Sequence, residues 1–295
     1  MRLDAGLVLD DQASLPQHSL WLRVAELAWP DASDSDADAP ILRCAIERVA
    51  PTPTDRSRLD EIVVDLRDAA ILPGFVNAHT HLDLTAVGPK PFDAGAGFAG
   101  WLAMIRQARP TKRSEIESAI DRGVALARAA GVVAVGDIAG APNGNPTLAP
   151  WRALGRSPMR GTSFVEFFAI GTREAERIEG LRELVAANRS SFASPSSVRL
   201  GLQPHAPNTV GIQAYREAAA LAAELGCPLA THLAESPAER EFIAHGTGPQ
   251  RELLESVGFW HDSIQVGRGL HPVEHLMPVL NAARDSAGDA AAGCS

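Results

Sequence analysis

Two histidines one residue apart, His79 and His81, close the short apolar segment ILPGFVNAH at 71–79. Alternate residues on a strand point to the same face. Both imidazoles can therefore reach one ion from a single strand end. Neutral imidazole is a common ligand for Zn2+ and other divalent metals. The alternative is a pair of ordinary strand-end histidines satisfied by backbone carbonyls. A second group stands in ATHLAES, where His232 ends another apolar segment and Glu235 follows three residues later. His232 offers a third nitrogen. Glu235 then stands beside the ion, placed to move a proton between water and a leaving group; alone, a glutamate there is as readily a helix cap or dipole partner. His205, in LQPHAPNTV, directly follows a third apolar segment and reads as a substrate contact, against a core histidine with a backbone partner. Glu166 and Asp137 lie near two further segment ends, where a solvated or capping carboxylate is the better reading. Asp83 shares the parity of His79 and His81, and a partner behind the ligands is as good a reading as an ordinary acid.

The elements that must position these side chains alternate. From residue 71 onward, apolar strands and amphipathic helices take turns, the signature of βα units and a parallel sheet. Strands are expected at 71–79, 132–138, 161–170, 197–204 and 228–234. Helices are expected at about 114–130, 173–189, 211–225, 237–245 and 249–257, with Ser114 and Glu117 as a capping box and Gly131 and Gly226 as stops. VEHLMPVL reads as one more helix. Residues 1–70 read instead as short strands at 7–10, 20–29, 41–50 and 61–66, with the acidic loop DASDSDADAP between two of them.

The whole chain is 295 residues, 45 % apolar and 21 % charged, which excludes wholesale disorder. Its 27 basic residues against 36 acidic ones give a net charge of −9. Such a balance argues against nucleic acid and anionic membranes as partners. It leaves room for a homo-oligomer. Cys44, Cys227 and Cys294 form no CxxC pair and read as free thiols. No apolar run approaches the roughly 20 residues of a membrane span. The N-terminus has neither the basic start nor the long apolar core of a signal peptide, so the expected location is cytoplasmic.

LPGFVNAHTHLDLT, then QPHAP, then THLAES, together resemble the amidohydrolase superfamily in its adenosine/cytosine deaminase-like and chlorohydrolase-like branch. The motifs run in the family's order over about residues 60–280. The resemblance implies a metal-bearing (β/α)8 TIM-type barrel beside a small β-sandwich. It implies His79, His81 and His232 as metal ligands, Glu235 as the proton-shuttling acid and His205 as a substrate contact. The fourth expected strand, SVRLGLQP, has no lysine to bridge two metals. One divalent ion is therefore implied, Zn2+ first and Fe2+ as the alternative. Segment 86–113, with Phe92, Phe98, Trp101 and Met104, is implied as a long loop shaping the pocket, and Trp101 as a substrate contact, unless these side chains merely pack the barrel mouth. The implied reaction is hydrolytic deamination of an amino-substituted purine or pyrimidine-type ring, with chloro-triazine rings also open.

Only five strand–helix units can be counted where a closed barrel has eight. The expected organisation is thus part of a small sandwich at 1–70, an incomplete barrel with the metal site at 71–281 and a weakly structured tail at 282–295. The family's later histidine and aspartate are not assigned to His261, His271, His275, Asp285 or Asp289. These departures suggest a C-terminally truncated member, and the alternative to an enzyme is a non-catalytic remnant of one.

Overall fold

Pro73 and Gly74 divide the chain. The computed structural model describes every residue except 10–11, 29–40, 55–61, 92–94, 96, 195 and 293–295. Within it Met1–Gly74 and Phe75–Ser295 form two compact units. The sequence pattern alone runs one strand through this point. Proline has no N–H to give to a ladder, and strand pairing breaks at such a residue. The strand before it ends at Ile71 and the next begins at Phe75.

The first unit is one five-stranded sheet. Strands β1 (Arg2–Leu9), β2 (Ser14–Pro16), β3 (His18–Ala28) and β4 (Ile41–Pro51) pair antiparallel in the order β2-β1-β3-β4, and β5 (Val63–Ile71) lies parallel to β1. Ala5, Val8, Leu20 and Leu22 form its small core. Asp4 is buried but accepts hydrogen bonds from Arg2 and Ser19, each at 2.7 Å, which offsets its desolvation. The short β2 is not among the expected strands, and the acidic loop at 31–40 lies outside the described residues.

The second unit holds four parallel strands in sequence order: β6 (Phe75–Thr80), β7 (Val132–Ala139), β8 (Arg160–Phe167) and β9 (Val198–Pro204). The helices are α1 (Gly97–Ala108), α2 (Arg113–Ala129), α3 (Ala149–Leu154), α4 (Glu174–Ala187), α5 (Arg189–Phe192), α6 (Ile212–Leu225), α7 (Pro237–His245), α8 (Pro249–Ser256) and α9 (Pro272–Ala292). Val165, Phe167, Leu200 and Leu202 on one sheet face pack against Ile178, Leu181 and Val185 of α4 and Tyr215 and Ala218 of α6. Val135 packs similarly against Ile116, Ile120 and Val124 of α2. The residues of opposite parity face away from these helices. His79, Glu166 and His205 all belong to that second set.

The expected fifth strand is an extended segment joined to β9 by a single parallel bridge, Leu202–Leu229. Pro228 has no N–H, but its carbonyl accepts from Leu202 N–H at 3.0 Å, and Ala230 N–H donates back to the Leu202 carbonyl at 3.0 Å. His232 N–H then donates to the His205 carbonyl at 2.8 Å. The segment therefore keeps the fifth strand's place in the sheet.

Three further expectations change. Helix α2 starts at Arg113, with Lys112 at the N-cap; Ser114 lies inside the helix, and Glu117 pairs with Arg113 at 2.7 Å rather than closing a capping box. Residues 97–108, taken as part of a long loop, form α1. The expected weak tail is helical over its described part, since α9 continues to Ala292.

Gly136 sets the fit of β6 on β7, because a Cβ there would overlap the Ala78 carbonyl. Gly136→Ala should force the strand carrying His79 outward and lower stability by about 1–3 kcal/mol. Urea unfolding followed by circular dichroism checks this; an unchanged midpoint would contradict it.

Candidate metal centre

Four imidazoles converge at the C-terminal ends of the second unit's strands. His79 is the last residue but one of β6, His81 follows that strand, His205 follows β9 and His232 ends the extended segment. Ring centroids are 5.3 Å apart for His79–His81, 5.0 Å for His79–His232, 5.5 Å for His81–His232 and 5.0 Å for His205–His232. His79, His81 and His232 each offer a ligand atom within 4.8 Å of the others. His81 Nδ1 is buried and has no hydrogen-bond partner. Buried polar atoms rarely stay unsatisfied, and a cation among these rings would satisfy the group. Three imidazole nitrogens are a donor set suited to zinc or iron. Burial lowers the pKa of His81 to about 4, and the facing charge of Glu166 only partly opposes it. The ring is thus neutral near pH 7, the form that binds metal.

The turn after His232 is built for position. Ala234 adopts φ +59°, a left-handed conformation that costs a non-glycine residue about 1 kcal/mol or more. Glu239 of α7, almost fully buried, compensates by accepting from Ala234 N–H at 3.0 Å and Glu235 N–H at 2.7 Å. Ser236 caps α7 by accepting from Glu239 N–H at 3.1 Å. The Glu235 carboxylate thereby lies 3.5 Å from His232 Nδ1, with 57 % of its side chain exposed. It faces both solvent and site. On the other flank, Tyr215 of α6, wholly buried, shares a 2.7 Å hydrogen bond with Thr231, whose hydroxyl lies 3.2 Å from the His205 carbonyl.

His205 is fixed by a 2.7 Å contact between Nδ1 and Thr209 Oγ1. Thr209 has one proton, donated to the Ala206 carbonyl at 3.1 Å. The contact leaves Nε2 of His205 facing the site, 4.0 Å from Glu166 Oε1. Burial lowers this imidazole's pKa to about 4 as well.

Glu166 corrects the sequence reading most. It is neither solvated nor a cap, being 1 % exposed. Its Oε1 lies 3.9 Å from His232 Nε2 and 4.0 Å from His205 Nε2. Burial pushes its pKa up, but His232, His205 and Arg109 outweigh burial and hold it at about 2. Asp83, also buried, accepts from Arg109 Nε at 2.7 Å. It is not among the residues that could share an ion with the histidines. Sequence reasoning misses Arg109, since no motif marks an arginine just past a helix end. Asp137 lies under the turn after β6, where it accepts from Leu82 N–H at 3.0 Å and from the Ser163 hydroxyl at 3.2 Å. It anchors the backbone beside His81. Trp101 sits on α1 with 41 % of its surface exposed. Met104 lies half-buried on the same helix. Phe92 and the Phe98 side chain fall outside the described residues.

The fold and site thus define a parallel α/β protein whose strand ends gather imidazoles and carboxylates suited to a divalent cation. Residues 70–291 match the amidohydrolase family, and the chain belongs to it. It is 33 % identical over 220 residues to an aminodeoxyfutalosine deaminase of Deinococcus radiodurans, covering 70 % of this chain and 48 % of that protein. It is 27 % identical over 259 residues to a 5-methylthioadenosine/S-adenosylhomocysteine deaminase of Halobacterium salinarum, covering 85 % of this chain and 57 % of that one. The chain therefore spans about half the length of the curated relatives it matches. Among solved structures, Helicobacter pylori aminofutalosine deaminase bound to methylthio-coformycin superposes with a TM-score of 0.63 at 19 % identity, over 90 % of this chain and 58 % of that one. A zinc-bound adenosine deaminase from Xanthomonas campestris gives 0.55 at 19 % identity, over 88 % and 55 %. These likenesses establish the fold.

Asp137 yields a pH prediction. Its pKa in the folded chain is raised by burial from 3.8 to about 7. Folding then favours the neutral carboxyl, so the native state binds more protons and stability falls as pH climbs from about 4 to about 7. An asparagine side chain there would keep an acceptor for Leu82 N–H and turn a donor toward the Ser163 hydroxyl, with no charge to bury. Asp137→Asn should match the wild type near pH 4 and exceed it by on the order of 1 kcal/mol or more at pH 8. Thermal unfolding across this range checks it; a variant less stable than the wild type at pH 8 would contradict the assignment.

Proposed function

We propose that this chain is a metal-dependent hydrolase that deaminates an amino-substituted purine or pyrimidine-type ring, of the aminodeoxyfutalosine or methylthioadenosine class. The observation carrying this reading is the convergence of His79, His81 and His232, with the Glu235 carboxylate 3.5 Å from His232. The deaminase relatives supply the reaction class. We take the ion to be one Zn2+, with Fe2+ as the alternative; zinc is present in the Xanthomonas campestris relative. We read the first unit as part of a small β-sandwich and the second as leading βα units of a (β/α)8-type barrel. The substrate is a small molecule and the compartment the cytoplasm. Cys44 and Cys227, both free thiols, fit a reducing environment. Among the described residues no helix is long and apolar enough to cross a membrane.

His79, His81 and His232 would hold the cation. When bound, such an ion lowers the pKa of water toward neutrality and stabilises negative charge developing on oxygen. Glu235, beside His232 and open to solvent, would hold a proton for the departing amine and reset its charge by exchange with solvent. His205 presents Nε2 to the ring and orients it. Trp101 on α1 offers an exposed indole for stacking against the ring.

Zinc-loaded protein is expected to release ammonia from aminodeoxyfutalosine or 5-methylthioadenosine. Glu235→Gln should keep its zinc and lose about 10²–10⁴-fold in kcat. Coupled ammonia assays with metal analysis of the same samples check both. Ammonia from neither compound, or Glu235→Gln turning over at the wild-type rate, would contradict the reading.

A further inference from the structure

Glu239 commits a buried carboxylate to a turn. It is 2 % exposed, and burying such a group is costly unless it is partnered. Among the described residues its carboxylate meets backbone N–H groups and no lysine or arginine. It stands third in α7, behind Pro237 and Ala238, with Ser236 at the N-cap. A glutamate at that place ordinarily reaches back to the N–H of the N-cap residue. Glu239 reaches further. Its Oε1 accepts from Ala234 N–H at 3.0 Å and its Oε2 from Glu235 N–H at 2.7 Å. Both donors are backbone groups, so both oxygens are acceptors and no proton position has to be assigned.

These bonds hold the turn between the strand end and α7. Ala234 sits in that turn at φ +59°, where a non-glycine residue is strained. Glu235 comes next. Its own carboxylate meets His232 Nδ1 at 3.5 Å and is otherwise largely open to solvent, so its place is set by its backbone. A reacting group displaced by about 1 Å loses on the order of 10²-fold in rate. We propose that Glu239 is the positioning residue of Glu235: anchored in the first turn of α7, its two oxygens fix the Ala234–Glu235 backbone and so set where the Glu235 carboxylate stands. The segment HLAESPAE then carries two glutamates with different tasks. Glu235 handles the proton, and the buried Glu239 four residues on aims it. Glutamine at 239 keeps the size of the side chain but has one acceptor oxygen, and it turns an NH2 group against the second N–H. Glu239→Gln therefore breaks one of the two bonds without opening a cavity.

Glu239 has this task only where Glu235 handles the proton, so the role rests on the deaminase reading. The hold on the turn is measured apart from turnover, by amide hydrogen exchange of the zinc-loaded chain. In the wild type the Ala234 and Glu235 amides should be protected well beyond those of an unstructured peptide. In Glu239→Gln they should exchange about tenfold faster or more, the loss of one hydrogen bond to a charged group, with β9 unchanged and zinc retained. With 5-methylthioadenosine, kcat should fall about 10–100-fold while KM stays within about twofold. In a Glu235→Gln background the same change should cost no more than about twofold, since the two residues act on one step. Unprotected amides in the wild type overturn the hold even where the variant does not fold, and so does exchange that Glu239→Gln leaves unaltered. An equal loss of kcat in both backgrounds, a raised KM with kcat unchanged, or loss of zinc from Glu239→Gln overturns the positioning role. A wild type that protects both amides but releases no ammonia overturns the deaminase reading, and the role with it, while the hold on the turn stands.

Discussion

The period of two along a parallel strand, combined with the common direction of every strand, is the constraint on which this site depends. It sends one set of side chains into the helices and the other to a shared surface, and it ends every strand at the same edge. Imidazoles as distant in the chain as His79 and His232 thereby meet, with ring centroids 5.0–5.5 Å apart across the cluster. Such packing is unfavourable if the rings are charged. Burial keeps His81 and His205 neutral, and the anionic Glu166 stands against His232, whose pKa is raised because its carboxylate neighbours outweigh its own burial. The cluster is suited to hold positive charge, which is the basis for proposing a divalent ion there.

Much of the surrounding structure holds that edge in register. The extended segment that carries His232 has only β9 as a strand neighbour among the described residues, so its place depends on the hydrogen bonds at Pro228, Ala230 and His232. Tyr215 secures Thr231 from the helix side. Glu239 gives both carboxylate oxygens to the turn that presents Glu235, which offsets the left-handed Ala234. Asp137 gives one oxygen to the turn after β6, at Leu82 N–H, and the other to the Ser163 hydroxyl. Glu239 and Asp137 are both buried acceptors committed to backbone N–H donors of a turn beside a candidate ligand.

The sequence makes His79, His81, His205, His232 and Glu235 legible because each stands beside an apolar segment whose period is visible. It also shows the βα alternation and the αL stop at Gly226. Glu166 is undervalued there because its environment comes from long-range partners: His205, His232 and Arg109 lie 39, 66 and 57 positions away and carry no pattern linking them to it. The break at Pro73-Gly74 is visible as residues but reads as an entry into a strand instead of a boundary between units. The tail, rich in alanine, shows no apolar face. Helix propensity and the packing of Leu276 and Val279 against α6 carry it as a helix instead.

The most direct test is crystallographic. Crystals of the chain grown with zinc, with diffraction data collected on both sides of the zinc absorption edge, show where the ion lies without any assumption about substrate. The account expects one anomalous peak about 2.0–2.1 Å from nitrogens of His79, His81 and His232, with Glu235 close by and outside bonding distance. A peak elsewhere, or well-ordered histidines with no peak at saturating zinc, would contradict it.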